Sequence, residues 1–477
     1  SKNDQIILSV LTALLEGKKI EELRTAEQKQ AFPSDLLRDF IEKTSRPYSD
    51  LFLQNTFLTQ AEMNDLKIAL EKFLLESKLS VLNLVFVVNR AIDVSVGFGV
   101  LGPMIRDDQL EEIMVNGVER NVFVFHRKFG MCKSNVLLSQ TELDSVVKRI
   151  SVLNKKQFGE NRPFLDSRLL DGERINATFS SVTPLGATLT IRKFTATPLS
   201  VVDLIERKTI SSELAAFLWL MVEGFNVKPM NILVAGGSGS GKTTTLNVLC
   251  SFVRHSDRVI TIEDTAELNL GSRENWVKME TQPKIFDSAE ITMDDLLRNS
   301  LRMRPDRVVL GEVRGVEAQT LFVAMDIGHE GSMGTLHANN SNEVMVRLTS
   351  HPMSVPESMI SLLDLVIVQS RMQVKGKGTI RRITQVSEVS SLEKKALIAT
   401  IFEWDRTTDQ IKRTDIPSAV IETLAEKTQM TKKEVMKEII IRKRILEYMV
   451  AKKIKDTPEV EMVIQKYYFD PESVLEM

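Results

Sequence analysis

The stretch Asn231 to Leu249, NILVAGGSGSGKTTTLNVL, decides the fold. It opens as an apolar strand and closes as a helix. Between them GGSGSGKT, Gly236 to Thr243, meets every fixed position of G-x-x-x-x-G-K-[ST]. Glycines let the backbone curl until its N–H groups face phosphate oxygens, and the helix N-terminus adds positive potential. In such a loop the lysine bridges the β- and γ-phosphates and the final hydroxyl goes to Mg²⁺. The candidate ATP-binding residues are therefore Gly236, Gly237, Ser238, Gly239, Ser240, Gly241, Lys242, Thr243 and Thr244, with Thr243 also a candidate Mg²⁺ ligand. A glycine loop without a ligand would need neither the strand before it nor the helix after it.

Outward from this loop, apolar strand-like runs alternate with helical patterns from about residue 210: SSELAAFLWLMVEGF, NILVAGG, TTTLNVLCSFV, RVITIED, MDDLLRNSLRM, RVVLGE. That rhythm predicts an α/β domain over 210–400 with a mostly parallel sheet. The strand VVLGE ends in Glu312, where a P-loop sheet delivers a carboxylate to Mg²⁺ or its waters; a cap on the following turn is the competing reading. RVITIEDTAEL ends in Glu263, Asp264 and Glu267. Three carboxylates at one strand end repel unless a cation or a water needs them. Glu267 is the expected group that orients and deprotonates the attacking water, against the alternative of solvated loop acids.

The flanks differ in character. Residues 1–95 carry apolar positions in threes and fours, which predicts a helical module. Asn116-Gly117, the run Val122 to Phe125 and the strand-like Ala187 to Phe194 predict a smaller α+β domain over 96–196. Pro198 and the polar residues near Glu206 suggest a linker over 197–209, and helices return over 401–477. Thr292 and Thr431 each precede an acidic residue by three, the spacing of a capping box. The basic groups Arg442 to Arg444 and Lys452 to Lys455 read as a solvated face.

Composition narrows the class without choosing the function. At 477 residues, 43% hydrophobic and 26% charged, the chain is an ordinary multidomain globular protein. Its 62 basic and 64 acidic residues leave a net charge of −2, so bulk electrostatics gives no reason to expect nucleic acid as the main partner. Cys132 and Cys250 stand too far apart for a metal knuckle, and a reducing cytoplasm suits them. Ile6 to Leu15 resembles a signal-peptide core but lacks a cleavage pattern, and Leu79 to Val88 is too short to span a bilayer.

With these motifs in order, the chain resembles the secretion ATPase superfamily that powers type II and type IV secretion, type IV pili and archaella. GGSGSGKT, IEDTAEL, SLRMRPDRVVLGEVRG and GHEGSMGTLHANN stand where that superfamily has its Walker A, aspartate box, Walker B and histidine box. LEEIMVNG, DSRLLDGERINA and TLTIRKF are similar to the smaller domain before its motor. The wording lies nearest the archaeal and tight-adherence branches. The resemblance implies a RecA-like motor domain preceded by a PAS-like α+β domain, assembled as a homohexamer that uses ATP and Mg²⁺. It further implies a cytoplasmic, peripherally membrane-associated protein that works on a polytopic inner-membrane platform protein and, indirectly, on pilin-like subunits, with no nucleic acid. By motif, Arg174 and Arg192 are the small-domain arginines that approach the phosphates, with Arg302 and Arg314 as weaker candidates.

Two departures stand out: there is no four-cysteine zinc module, and Ile327 occupies the place of a threonine before Gly328-His329. Without further ligands nearby, His329 and His337 are not a zinc pair. His337 is expected near the γ-phosphate, and His329 across the pocket or at the adjoining subunit, with a purely structural pair as the alternative. A GTPase would offer NKxD where the chain has only NKKQ at Asn154, and a transporter ATPase would offer LSGGQ, which is absent. A RecA-like nucleic-acid motor remains the rival reading.

Overall fold

A computed structural model of the chain describes Leu11 and residues 60–75, 84–95, 97–169, 172–193, 198–271, 273–282, 290–374, 378–392 and 395–476. Most of the expected N-terminal helical module, including all but Leu11 of the run Ile6 to Leu15, lies outside them. Its described parts are two helices, α1 (Gln60–Leu75) and α2 (Leu84–Ser95). Among the described residues no helix is long and apolar enough to cross a membrane. The chain divides into two units, Ser1–Ala196 and Thr197–Met477.

In the first unit, alternation of buried and exposed residues builds a half-buried antiparallel sheet. Its strands are β1 (Leu110–Asn116), β2 (Asn121–His126), β3 (Gly130–Leu137), β4 (Phe164–Arg168), β5 (Arg174–Thr178) and β6 (Thr188–Arg192), in the order β3-β2-β1-β6-β5-β4. Leu165, Ile175, Ala177, Leu189 and Ile191 point one way into the core, where Val146, Val147 and Ile150 of α3 (Gln140–Leu153) meet them. A capping box of Ser139 and Glu142 starts α3.

The second unit opens with a correction. Residues expected as a linker form a short helix, α4 (Val201–Glu206), capped by Ser200 and Asp203, with Val201, Val202 and Leu204 buried. The S-x-x-D spacing that starts it is itself a helix signal. Next come α5 (Ser212–Glu223), β7 (Ile232–Gly236), α6 (Lys242–Ser251), β8 (Val259–Glu263) and β9 (Trp276–Glu280). They continue into α7 (Met293–Ser300), β10 (Arg307–Val313), α8 (Glu317–Asp326), β11 (Met333–Leu336) and α9 (Ser341–Thr349). The strands β12 (Leu365–Val374), β13 (Gly378–Leu392), β14 (Lys395–Asp405) and β15 (Gln410–Arg413) complete a sheet of order β15-β14-β13-β12-β7-β11-β10-β8-β9. From β12 to β9 it is parallel; β13, β14 and β15 add antiparallel strands at the other side. β7 and β8 are buried along their whole length, as strands covered on both faces must be. This is the α/β motor fold that the P-loop demanded.

The expected boundary at residue 401 is also corrected: β14 runs through it, and helices begin only at α10 (Ala419–Thr428), followed by α11 (Lys432–Lys452) and α12 (Thr457–Phe469). The boxes at Thr292 and Thr431 form as expected and cap α7 and α11, each worth about 1 kcal/mol. These last helices share one core with α5 and the sheet. Arg442 is not on a solvated face. It is 2% exposed, with Nη2 at 2.9 Å from Glu223 Oε2 and Nε at 2.9 Å from Glu438 Oε1. Its guanidinium also stands 5.1 Å over the Trp219 ring. Burial pushes the Glu223 carboxyl up, but Arg442 and Arg254 outweigh it and hold it below the usual range. Arg444, Lys452, Lys453 and Lys455 are exposed, as expected.

Candidate nucleotide site

The P-loop is preformed by close packing. A Cβ on Gly236 would lie 2.3 Å from the Gln369 carbonyl oxygen and 2.5 Å from Ser240 Oγ, so only glycine lets β7 turn there. Gly241, at φ +99°, leads into α6 with no side chain capping the helix, which leaves its first N–H groups for an anion. Lys242 Nζ donates to the Gly237 carbonyl at 3.3 Å. Burial holds its ammonium below the usual lysine range; Glu312 and Glu267 oppose that, and Arg314 reinforces it. Lys242 thus shares one electrostatic field with three of the groups that the sequence marked.

The three carboxylates at the end of β8 have separate fates. Glu263 turns inward, 2% exposed, and Oε1 accepts the backbone N–H groups of Glu267 at 2.9 Å and Leu268 at 3.1 Å. A Cβ on Gly311 would meet its Cγ at 2.8 Å, so the glycine of VVLGE makes room for it. Burial pushes its carboxyl up to about 7, against the pull of those two N–H donors. Asp264 is exposed and accepts from Arg314 Nη1 at 3.1 Å, while Arg314 Nη2 reaches Glu312 Oε2 at 2.6 Å. Only Glu267 is left half-buried on the loop beside Lys242, held there by Glu263.

Glu312 stands near the C-terminal end of β10, and Thr243 lies in the first turn of α6, which follows the C-terminal end of the parallel strand β7. One carboxylate and one hydroxyl suit Mg²⁺, which takes its remaining ligands from phosphates and water. Among the described residues no group of three or more His, Cys, Asp or Glu could hold a metal ion by itself.

The two histidines part company. His337 follows β11 directly and is exposed at the edge that carries the P-loop. His329 precedes β11, its Nδ1 3.0 Å from the Pro305 carbonyl oxygen, two residues before β10 begins. Four extended residues alone span roughly 13 Å, and β11 runs parallel to β7 and β10, so His329 sits at the opposite edge of the sheet. The expected hydrogen bond across its own pocket is corrected to this anchor.

Arg174 and Arg192 lie directly opposite each other on β5 and β6, on the face turned away from the core. Arg174 Nη2 reaches Asp166 Oδ2 at 3.2 Å. Arg168, on β4, extends the row as Arg174's partner in register, which the sequence reading missed. It also missed the wall beside the P-loop. Gln369 accepts from Thr245 Oγ1 at 2.5 Å, and Arg381 Nε donates to the Gly239 carbonyl at 3.0 Å. Arg302, exposed after α7, donates from Nη2 to Asn299 Oδ1 at 3.4 Å.

The chain matches the family described as type II/IV secretion system protein over residues 105–455. An uncharacterized protein of Methanocaldococcus jannaschii is 31% identical over 79% of this chain and 76% of its own length. Protein VirB11 of Agrobacterium fabrum is 30% identical over 51% of this chain and 76% of its own. Among solved structures, the VirB11 ATPase of the Brucella suis type IV secretion system, in complex with sulphate, is 28% identical over 60% of this chain and 91% of its own, with a TM-score of 0.31.

Proposed function

Since this chain belongs to the type II/IV secretion system protein family, we propose that it is an Mg²⁺-dependent ATP hydrolase. In our reading it works as a homohexameric ring on the cytoplasmic face of the membrane. Hydrolysis drives assembly of a type IV pilus-like filament, or protein secretion, through an inner-membrane platform protein. The observation that carries the enzymatic part is the convergence of Lys242, Glu312, Glu267 and Arg314 at the strand ends where the P-loop opens.

Each residue has a task. The P-loop N–H groups and Lys242 bind the β- and γ-phosphates. Glu267 orients a water and takes its proton as the oxygen attacks the γ-phosphorus and the bond to the β-phosphate oxygen breaks. Thr243 and Glu312 would hold Mg²⁺, the latter through water, and the bound ion supplies charge neutralisation on the phosphates. His337 senses the γ-phosphate from the edge of β11. Arg174 and Arg192 meet the phosphates on closure of the small domain, where a guanidinium is the matched partner for phosphoryl charge.

The test is phosphate release from ATP by the purified chain, with Mg²⁺ and with the ion chelated, together with particle mass in ATP. Turnover that needs Mg²⁺, in a six-subunit particle, and that rises with vesicles bearing the platform protein is expected. Tight ATP binding without phosphate release would overturn the enzymatic reading. A persistent monomer would overturn the ring, and stimulation by DNA alone would favour a nucleic-acid motor.

A further inference from the structure

β12 outruns its parallel neighbour. Gln369 pairs with Gly236, the last residue of β7, so Ser370 to Val374 continue beside the P-loop, paired only with β13 on their other side. On the face that Gln369 presents to the loop, the next residue is Arg371, and directly opposite it in register stands Arg381. Both reach the loop. Arg371 Nη1 lies 3.0 Å from where a Cβ on Gly239 would be, and the Arg381 Cδ is 3.4 Å from the same position on Gly241. Arg381 Nε donates to the Gly239 carbonyl at 3.0 Å.

Two like charges directly opposite in a ladder destabilise it, and here the positive end of α6 adds to them. No ion pair joins Arg371 to a carboxylate among the described residues. The acids of the site stand on β8 and β10, which the sheet order β12-β7-β11-β10-β8 puts on the other flank of the loop. An anion that belongs on the β12 flank would relieve this concentration of positive charge. The γ-phosphate and attacking water belong with Glu267 and Glu312, so the β12 flank faces the remainder of the nucleotide.

We infer that Arg371 is a ligand of the α,β-diphosphate end of the bound nucleotide, the part that ATP and ADP share, and that Arg381 is a positioning residue that fixes the loop through Gly239. Arg371 therefore sets how long product ADP stays bound. This rests on the nucleotide-binding reading of the P-loop.

The experiment measures Mg·ADP and a non-hydrolysable ATP analogue binding to the full chain by calorimetry, in wild type, Arg371→Ala and Arg371→Lys. Thermal unfolding is followed with and without ADP. Arg371→Ala is expected to weaken both nucleotides by the same factor, about tenfold or more. Arg371→Lys should recover part of that. Without nucleotide the Arg371→Ala midpoint should not fall, because an unfavourable charge opposition has been removed. ADP affinity within about twofold of wild type, or an equal loss of stability with and without ADP, overturns the inference. A wild-type chain that binds neither nucleotide overturns instead the reading beneath it.

Discussion

Arg314 Nη2 holds Glu312 Oε2 at 2.6 Å, on the strand that faces the P-loop lysine. With its other arm on Asp264, the guanidinium neutralises two carboxylates that would otherwise face an incoming triphosphate. Hydrogen bonding to Glu312 raises the Arg314 pKa above even its ordinary value, so the charge is permanent. Arg314→Ala should therefore raise the KM for ATP by about tenfold, as two uncompensated carboxylates repel the phosphates. Steady-state turnover at fixed free Mg²⁺ measures this, and an unchanged KM would remove Arg314 from the site.

Removing the carboxylate that we propose as the base should separate binding from chemistry. Glu267→Gln keeps the shape of the side chain but cannot accept the water proton. Turnover should drop by roughly 10² to 10⁴ while ATP affinity stays near wild type. Lys242→Ala should abolish turnover and weaken binding as well. Wild-type turnover in Glu267→Gln would transfer the role of base to another group.

Glu263 gives the site a pH dependence. Burial raises its folded pKa to about 7 from an ordinary 4.5, so between those values the folded chain holds a proton that the unfolded chain releases. Its contribution to stability therefore falls as pH rises through that window. Above about 7 the charged carboxylate accepts the Glu267 and Leu268 N–H groups more strongly and fixes the loop that carries Glu267. Turnover should rise with pH through that point. Glu263→Gln should flatten both trends, read from denaturant midpoints and from kcat against pH. A Glu263→Gln profile that keeps the wild-type inflection would assign it to another group.

What the sequence made legible is what contiguous residues decide. The P-loop, its strand and helix, the acidic end of VVLGE and the capping boxes at Thr292 and Thr431 are each written within a dozen residues. What it hid depends on neighbours that only the sheet brings together. IEDTAEL shows three carboxylates but not that Gly311, on another strand, admits Glu263 and leaves Glu267 outside. Arg371 and Arg381 flank Gly239 because β12 pairs with β7, more than a hundred residues earlier in the chain. Arg442 was readable in principle: Val435, Ile439, Arg442, Leu446 and Met449 share one helical stripe, and counting charge alone concealed it.

That buried arginine ties the C-terminal helices to the motor. Arg442→Ala leaves Glu223 buried with Arg254 and the Phe225 N–H as its remaining partners and opens a gap beneath the Trp219 ring. The loss should be about 3–5 kcal/mol, whereas the exposed Arg444→Ala should stay within about 0.5 kcal/mol. Urea unfolding compares them, and equal midpoints would show that the charge is dispensable to the fold.

The two histidines should also separate. His337 stands at the strand ends that open onto the P-loop, so His337→Ala should slow turnover by about tenfold or more. His329 is held by the Pro305 carbonyl at the far edge of the same sheet, too distant to touch nucleotide bound in its own subunit. His329→Ala should leave ADP affinity at the wild-type value, and any loss of turnover should appear only under conditions where the ring forms. Measuring ADP affinity and turnover across protein concentration distinguishes the two roles. Weakened ADP binding by dilute His329→Ala chains would contradict the placement of that histidine away from its own pocket.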